Sequence, residues 1–293
     1  MSFVLQQYLV GVDGGGTSCR VAVSDVSGTV LGRGMSGASN VTSDFEGAIA
    51  NINLAVDNAF TEAGIANWSH GQVSAVLGLA GVNIGDAGER LTKQLDFAHC
   101  QIVPDTLIAH RGAFAGADGL LAIVGTGSAF LKIIGDEHHY FGGWGARVSD
   151  LASGAWLGRA VIESTLLAAD GIRPFTDLAH KALSRFGGDA GALAISCAHA
   201  EPSDFAEYAP MVVDAAAQKD VAALKIMNQA AADLNEALHA LNRENPVPIC
   251  LWGGLAQVYA PLLSRENAVR LQSPQTTALN GALSIAIERF SRD

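Results

Sequence analysis

A strand meander whose first strand ends in a glycine-rich turn occurs twice in this chain, and this repetition constrains the fold more than any other feature. The two turns are DGGGT at 13–17 and GTGS at 125–128. Apolar runs and turn residues predict three strands around each turn, at 8–12, 19–24 and 29–32 and again at 120–124, 129–134 and 138–141. A duplication with a spacing of about 110 residues predicts two α/β domains of similar topology.

The rest of the pattern supplies helices and further strands to both domains. Helical spacing is found at 45–63, 86–97, 153–169, 176–186, within 189–243 and at 277–290, and apolar strands at 73–79, 101–103 and 249–252. At 293 residues the chain is long enough for two hydrophobic cores. We predict an N-terminal domain of residues 1–108, joined by a C-terminal helix at about 277–293, and a C-terminal domain of residues 109–276.

Both turns combine glycines with a hydroxyl group, which is the chemistry of a phosphate-binding loop. Glycines let the backbone approach a ligand and turn N–H groups towards phosphate oxygens, and Thr17 or Ser128 adds a hydroxyl. Asp13 follows a buried strand and is placed to orient Mg²⁺. The alternative for each loop is a plain hairpin turn. Two such loops at equivalent places favour a polyphosphate clamped between facing domains.

The charge balance excludes several classes of partner. The chain has 29 acidic against 18 basic residues, a formal net charge of −11, and its Lys and Arg are scattered. Nucleic acid and anionic membranes are therefore not expected as partners. The N-terminus lacks the pattern of a signal peptide, and the four cysteines are far apart, as expected for reduced thiols in the cytoplasm. The P-loop pattern GxxxxGK[ST] is absent.

An ordered set of short motifs resembles one known family along nearly the whole chain. The set consists of LVGVDGGGTSCR, LGLAGV, VPDTLIAHRGAF, AIVGTGSAF, FGGWGARVSDLASGAWLGR, DGIRP, ICLWGGLAQ and PQTTALNGAL. It resembles the bacterial glucosamine kinases and N-acetylglucosamine kinases of the BadF/BadG/BcrA/BcrD-type ATPase family, within the actin/hexokinase-like superfamily. The resemblance implies an α/β fold of two ribonuclease-H-like domains with an interdomain active-site cleft. It also implies ATP and Mg²⁺ as cofactors and phosphate transfer to the 6-hydroxyl of an amino sugar.

The resemblance also implies a role for individual residues. Asp105 matches the catalytic base, and a carboxylate there can accept the hydroxyl proton. By itself, Asp105 would be interpreted as the N-cap of a helix that begins at Thr106. Phosphate binding falls to Gly14, Gly15, Gly16, Thr17, Gly125, Thr126, Gly127 and Ser128, adenosine binding to Gly253 and Gly254, metal binding to Asp13, and sugar binding to Asn40, Gly81, Asp105, Trp144 and Asp150. A tryptophan face can pack against a pyranose, although an isolated Trp is more often a packing residue.

The substrate is less constrained than the reaction. Many relatives have an acidic residue and a glycine after the position of Asp150, where this chain has Leu151 and Ala152. We favour glucosamine because DGGGTSCR and DGIRP look most like the glucosamine kinases, with N-acetylglucosamine as the alternative. A dehydratase-activating ATPase is a more distant alternative that the scattered cysteines disfavour. A sugar-sensing repressor is disfavoured because no helix-turn-helix fits before Tyr8. The assembly is left open, with a homodimer as one expectation.

Overall fold

The computed structural model describes residues 7–41, 44–82 and 87–291, which form an α/β protein with two mixed sheets. Its contacts divide the chain into two compact units. Unit 1 comprises the residues up to Ala117 together with those from Pro274 onwards, and unit 2 comprises Asp118–Ser273. Unit 1 is therefore discontinuous in sequence, whereas unit 2 is one continuous segment.

Unit 1 is built on a five-stranded sheet with the order β3-β2-β1-β4-β5. The strands are β1 (Tyr8–Gly14), β2 (Cys19–Ser24), β3 (Val30–Ser36), β4 (Val73–Leu79) and β5 (His99–Pro104). The first three form the antiparallel meander, and β4 and β5 add to β1 in parallel. The carboxyl ends of β1, β4 and β5 therefore lie at one edge of the sheet, where open α/β sheets bind ligands.

Helices cover both faces of this sheet. They are α1 (Phe45–Glu62), α2 (Ala87–Thr92), α3 (Asp105–Phe114) and α12 (Ala278–Phe290). The apolar stripe of α1, with Ile52, Val56 and Phe60, packs on alternate residues of the strands such as Val10 and Val12. On the opposite face of the sheet, α12 packs so close to β1 that only glycine fits at residue 11. A Cβ atom on Gly11 would lie 2.5 Å from the backbone N of Leu283 in α12.

Unit 2 has a four-stranded sheet with the order β8-β7-β6-β9. The strands are β6 (Gly119–Val124), β7 (Ser128–Ile134), β8 (Glu137–Gly142) and β9 (Ile249–Trp252). The helices are α4 (Gly154–Ala169), α5 (Asp177–Ser184), α6 (Ala190–Cys197), α7 (Pro202–Ala206), α8 (Ala209–Ala217), α9 (Val221–Asn242), α10 (Ala256–Tyr259) and α11 (Arg265–Ala268). The core lies between the sheet and α4, α8 and α9. As in unit 1, an antiparallel meander is extended by a parallel strand beside its first strand, which confirms the predicted duplication.

The predicted elements agree with the structure apart from some of their ends. The helix predicted at 86–97 ends at Thr92, because the chain must turn to bring Phe97 onto the ring of His70, with centroids 5.3 Å apart. Its predicted first residue, Asp86, lies outside the described residues. Helix α3 begins at Asp105 rather than Thr106. All of α3 belongs to unit 1, whereas the predicted domain boundary after residue 108 falls inside this helix. The predicted domain limits at residues 108 and 277 remain a prediction.

Candidate functional site

The glycine loop of unit 1 is held by backbone hydrogen bonds from two neighbouring segments. Ala80 donates its N–H to the carbonyl of Gly14, and Ser39 donates to the carbonyl of Gly15, each at 2.9 Å. A Cβ atom on Gly14 would lie 2.4 Å from the side chains of Leu79 and Ser39, so this position must be glycine. On Gly16 the added Cβ would meet nothing within 4 Å. The loop is therefore anchored at its base and open at its tip, together with Thr17, which is exposed.

Asp13 lies at the base of this loop and faces a cation. In the β1–β2 ladder it is paired with Arg20, whose Nη1 is 3.6 Å from Asp13 Oδ2. Burial raises the pKa of the Asp13 carboxyl, and the Arg20 guanidinium opposes that rise. The sequence analysis did not single out Arg20, although the motif DGGGTSCR contains it.

Asp105 is the first residue of α3, directly after β5. Pro104 takes the N-cap position, so the capping role considered for Asp105 is wrong by one residue. The Asp105 carboxylate instead accepts the N–H of Thr106 at 2.8 Å, within the positive end of the helix. Burial raises the pKa of Asp105, and the charge of Asp13 raises it further. A carboxyl with a raised pKa, close enough to another acid to interact with it, is typical of catalytic sites.

Asn40 and Gly81 flank the glycine loop on two sides. Asn40 follows Ser39, and Gly81 follows Ala80, the two residues that donate to the loop carbonyls. Gly81 has a φ of 85°, the left-handed conformation that favours glycine. Unit 1 therefore brings Asp13, the loop, Asn40, Gly81 and Asp105 to the carboxyl edge of its sheet.

The glycine loop of unit 2 is bound by the helix that follows it. The first two amides of α4 donate to this loop, Gly154 to the carbonyl of Gly125 at 2.7 Å and Ala155 to that of Thr126 at 3.0 Å. The Ser128 hydroxyl donates to the carbonyl of Leu151 at 2.8 Å. The carbonyls of Gly125 and Thr126 are therefore satisfied. Within the loop, Gly125 donates its own N–H to the carbonyl of Gly127 at 2.9 Å, so that N–H is already used.

Asp150 lies directly behind this loop. A Cβ atom on Gly127 would lie 2.5 Å from Asp150 Oδ2, and Gly145 donates its N–H to Asp150 Oδ1 at 3.2 Å. The carboxylate is buried and its pKa is raised by burial, while hydrogen bonds from the Gly145 and Ser128 amides oppose the rise. Asp150 also adopts a φ of 60°, an uncommon conformation for a residue other than glycine. Residues with such conformations cluster at functional sites.

Trp144 is carried by the segment of residues 143–149, here named the Trp144 loop. Its side chain is 79% exposed, which is unusual for a tryptophan without a partner surface. The two neighbouring residues are anchored, because Gly143 donates to the Ser128 carbonyl at 3.1 Å and Gly145 to Asp150. The sequence analysis also missed Arg159, whose Nη1 donates to the carbonyls of Ala146 at 2.6 Å and Arg147 at 3.3 Å.

Gly253 and Gly254 form an exposed turn after β9 that lies beside the end of β6. Gly253 has a φ of 99°, and a Cβ atom there would lie 2.7 Å from the carbonyl oxygen of Val124. Leu255 donates its N–H to the same carbonyl at 3.1 Å. The predicted adenosine turn and the predicted phosphate loop of unit 2 are therefore adjacent, and both are open to solvent at Gly254 and Gly125.

Across residues 7–41, 44–82 and 87–291, no three His, Cys, Asp or Glu side chains are grouped so that they could hold a metal ion. A lone carboxylate such as Asp13 fits Mg²⁺ that is held mainly by phosphates and water. Within the same ranges, none of the helices is both long and apolar enough for a membrane span.

A family model, a protein sequence and a crystal structure each match this chain over nearly its full length. The family model for the BadF/BadG/BcrA/BcrD ATPase family matches residues 10–285. Glucosamine kinase GspK of Vibrio cholerae is 32% identical over 280 residues, which cover 95% of each protein. The crystal structure of a Chromobacterium violaceum protein assigned as an N-acetylglucosamine kinase has a TM-score of 0.89 at 32% identity, and covers 96% of this chain and 99% of that one.

A more distant structure extends the likeness of fold. The ROK family glucokinase of Streptomyces griseus, solved with glucose and AMPPNP, has a TM-score of 0.60 at 18% identity, over 95% of this chain and 98% of that one. The predicted fold class, α/β with ribonuclease-H-like domains of the actin/hexokinase-like type, is confirmed by these structures and by the two sheets.

Proposed function

Because the chain belongs to the BadF/BadG/BcrA/BcrD ATPase family, we propose that it is an ATP-dependent kinase that phosphorylates glucosamine at the 6-hydroxyl. The observation that carries this proposal is the 32% identity to a glucosamine kinase across 95% of both chains. The products are glucosamine 6-phosphate and ADP. The structure of each unit supplies groups suited to one part of this reaction.

We propose that unit 1 carries the acid–base chemistry. Asp105 accepts the proton of the sugar 6-hydroxyl while the hydroxyl oxygen forms a bond to the γ-phosphorus of ATP. The bond between the γ-phosphorus and the oxygen that bridges it to the β-phosphate breaks, and ADP leaves. The open tip of the loop, Gly15, Gly16 and Thr17, lets phosphate oxygens approach the backbone and the Thr17 hydroxyl. The N–H of Gly15 donates to the carbonyl of Ser18 at 3.0 Å and holds this tip in shape. Asn40 and Gly81 beside the loop contribute to the sugar site.

We propose that unit 2 binds the nucleotide and one face of the sugar. Gly125 to Ser128 bind phosphate, and the adjacent turn at Gly253 and Gly254 receives the adenosine. The exposed ring of Trp144 packs on the pyranose, and Asp150 binds sugar hydroxyls or orients the loop around it.

Mg²⁺ is proposed as the metal of the reaction, with Asp13 as its protein contact. When bound, the ion would neutralise charge on the phosphates. Arg20, whose Nη1 lies 3.6 Å from Asp13 Oδ2, places a second cation beside the carboxylate that would hold this ion.

N-acetylglucosamine is the second candidate substrate. The Chromobacterium protein assigned as an N-acetylglucosamine kinase has a structure very similar to this one, with a TM-score of 0.89. A dehydratase activator is disfavoured because the cysteines are scattered along the chain, and Cys19 and Cys250 are buried in different sheets. We further propose that the kinase acts in the cytoplasm, where ATP is available and thiols stay reduced. A homodimer is the proposed assembly, to be tested by light scattering.

The proposed function is tested by ADP release with glucosamine, N-acetylglucosamine, glucose, galactose and mannosamine at saturating MgATP. We expect the highest kcat/KM for glucosamine. A kcat/KM at least about tenfold higher for N-acetylglucosamine, a difference of about 1.4 kcal/mol in transition-state binding, would reassign the substrate within the class. Activity with the neutral hexoses alone would overturn the amino-sugar assignment.

A further inference from the structure

The Trp144 loop has a backbone that is costly to order. Gly143 and Gly145, on either side of Trp144, have φ values of 70° and 93°. Glycine loses more conformational freedom on ordering than any other residue. Trp144 and Val148 also extend into solvent, with exposed fractions of 79% and 84%, so packing fixes the loop mainly at the buried Ala146. A defined position of the Trp144 ring therefore depends on hydrogen bonds.

Arg159 supplies two of those hydrogen bonds from outside the loop. Its Nη1 donates to the carbonyls of Ala146 and Arg147, which directly follow the anchored Gly145. Bonds from a guanidinium are charge-assisted and stronger than those between neutral groups. The other charged contact of the loop, Arg147 with Glu201 at 3.6 Å, joins two side chains that are each more than two-thirds exposed, so it contributes little.

The helix that carries Arg159 also holds the phosphate loop of unit 2. The first turn of α4 donates to the carbonyls of Gly125 and Thr126, and Arg159 follows within the next turn or so of the same helix. A helix is a rigid spacer with a rise of about 1.5 Å per residue. The bonds of Gly143 to Ser128 and of Gly145 to Asp150 fix the start of the Trp144 loop beside the phosphate loop. Helix α4 and the contacts of Arg159 fix the part of the loop that follows Gly145.

We infer that Arg159 is a positioning residue for the sugar: it fixes the Trp144 loop at a set place relative to the phosphate loop. The inference rests on the proposed function in assigning Trp144 to the sugar. The guanidinium acts through the backbone of the loop and does not take part in phosphate transfer. Its loss therefore weakens sugar binding and leaves nucleotide binding unchanged.

The kinetic test compares Arg159→Ala with Arg243→Ala. Arg243 is a matched control, since it is a 71% exposed arginine of the same unit whose carboxylate partner is 4.0 Å away. We expect the sugar KM of Arg159→Ala to rise about tenfold, as for the loss of charge-assisted hydrogen bonds, with the ATP KM within twofold of wild type. Arg159→Lys, which keeps the charge and the donors, should recover part of the loss. Equal rises in both KM values would indicate general damage and overturn the proposal.

Hydrogen exchange tests the contact without any substrate. In Arg159→Ala the amides of residues 143–149 should exchange about tenfold faster than in wild type, while Arg243→Ala matches wild type. Unchanged exchange in Arg159→Ala would overturn the role of Arg159. If the wild type phosphorylates no amino sugar, the proposed function fails, and faster exchange would still establish Arg159 as the group that orders this loop. Faster exchange with an unchanged sugar KM would show that Arg159 orders the loop but does not serve sugar binding.

Discussion

The two glycine loops occupy the same place in two related sheets, but the groups that surround them differ. In unit 1 the pair next to the end of the hairpin ladder is Asp13 with Arg20, whereas in unit 2 it is Ile123 with Ala129. Each loop is held by two backbone hydrogen bonds, which come from two separate segments in unit 1 and from the N-terminus of α4 in unit 2. The acid of unit 2, Asp150, comes from a different segment and packs behind its loop.

This difference shows that, in a duplicated topology, one unit can carry the charged side chains beside its loop while the other carries mainly the contacts that position its loop. In unit 1, charged side chains lie on the strands and helix that carry the loop, so the loop is close to reactive groups. In unit 2 the matching pair is apolar and the loop is held by a helix N-terminus, so we expect it to act as a rigid cradle.

The largest effect is expected for Asp105→Asn, which removes the proposed base of unit 1. Turnover should fall by about 10²- to 10⁴-fold, because general base catalysis contributes that much, while the affinities for ATP and sugar stay near wild type. Steady-state kinetics and calorimetric binding measure the two quantities. Asp57→Asn, on the exposed side of α1, is the matched control. A drop of less than about tenfold would show that Asp105 is not the base.

Gly15→Val tests the open tip of the unit 1 loop. A Cβ atom there would meet only the carbonyl oxygen of Ser18, at 4.0 Å, so the variant should fold normally. The branched side chain would occupy the space through which phosphate oxygens reach the N–H groups, and ATP binding should be lost in calorimetry. A folded Gly15→Val protein with wild-type ATP affinity would show that the open tip is not a phosphate site.

Asp150→Asn separates the sugar role of Asp150 from its role in fixing the unit 2 loop. Asparagine tolerates a positive φ and keeps an oxygen acceptor, so the fold should survive. Loss of the charge should raise the KM for the sugar by about 10- to 100-fold, the range for hydrogen bonds to a charged group, with little change for ATP. An effect on the ATP KM alone would show that Asp150 serves the phosphate loop instead.

Gly127→Ala, compared with Gly16→Ala, tests the rigidity of the unit 2 loop. The added methyl group at Gly127 would collide with the buried Asp150 carboxylate, whereas at Gly16 it would meet nothing within 4 Å. Gly127→Ala should lower the free energy of unfolding by about 1–3 kcal/mol, a typical penalty for overpacking. Gly16→Ala should leave it unchanged. Urea titrations of both variants measure the difference, and equal stabilities would remove the contrast between the loops.

The smallest effect concerns pH and the burial of Asp105. Because burial raises the folded pKa of Asp105, its contribution to stability is fully present below the unfolded pKa and is lost as pH rises through the folded pKa. Asp105→Asn lacks this titration. The wild type should therefore lose stability relative to Asp105→Asn between about pH 4 and neutral pH, starting from the unfolded pKa. Urea titrations of both proteins at about pH 4 and at neutral pH test this. A difference in the free energy of unfolding that does not change with pH would contradict it.

The sequence predicted the fold well because its signals are local. Strands β2, β4 and β9 have the predicted ends, since apolar runs are bounded there by turn residues. The end of α2 was predicted too late, because it is set by the stacking of Phe97 on His70, a contact between residues distant in sequence. Local patterns carry no information about such contacts.

The candidate site was predicted only in part, for the same reason. Glycine motifs and acids at strand ends identified the loops and Asp105. The close approach of Asp150 to Gly127 and the reach of Arg159 to the Trp144 loop depend on how the chain between residues 127 and 159 folds back. Arg159 lies within a quoted motif, but its contacts could be found only from the structure.

The discontinuity of unit 1 has a consequence for synthesis on the ribosome. Residues Asp118–Ser273 form unit 2 without help from any later segment, so this unit can fold as soon as it emerges. Strand β1 must wait for α12, whose backbone approaches it at Gly11. The same helix packs on α3, where a Cβ atom on Gly281 would lie 2.1 Å from the carbonyl oxygen of Ile108. Unit 1 therefore stays incomplete on the ribosome until α12 has been made, after the whole of unit 2.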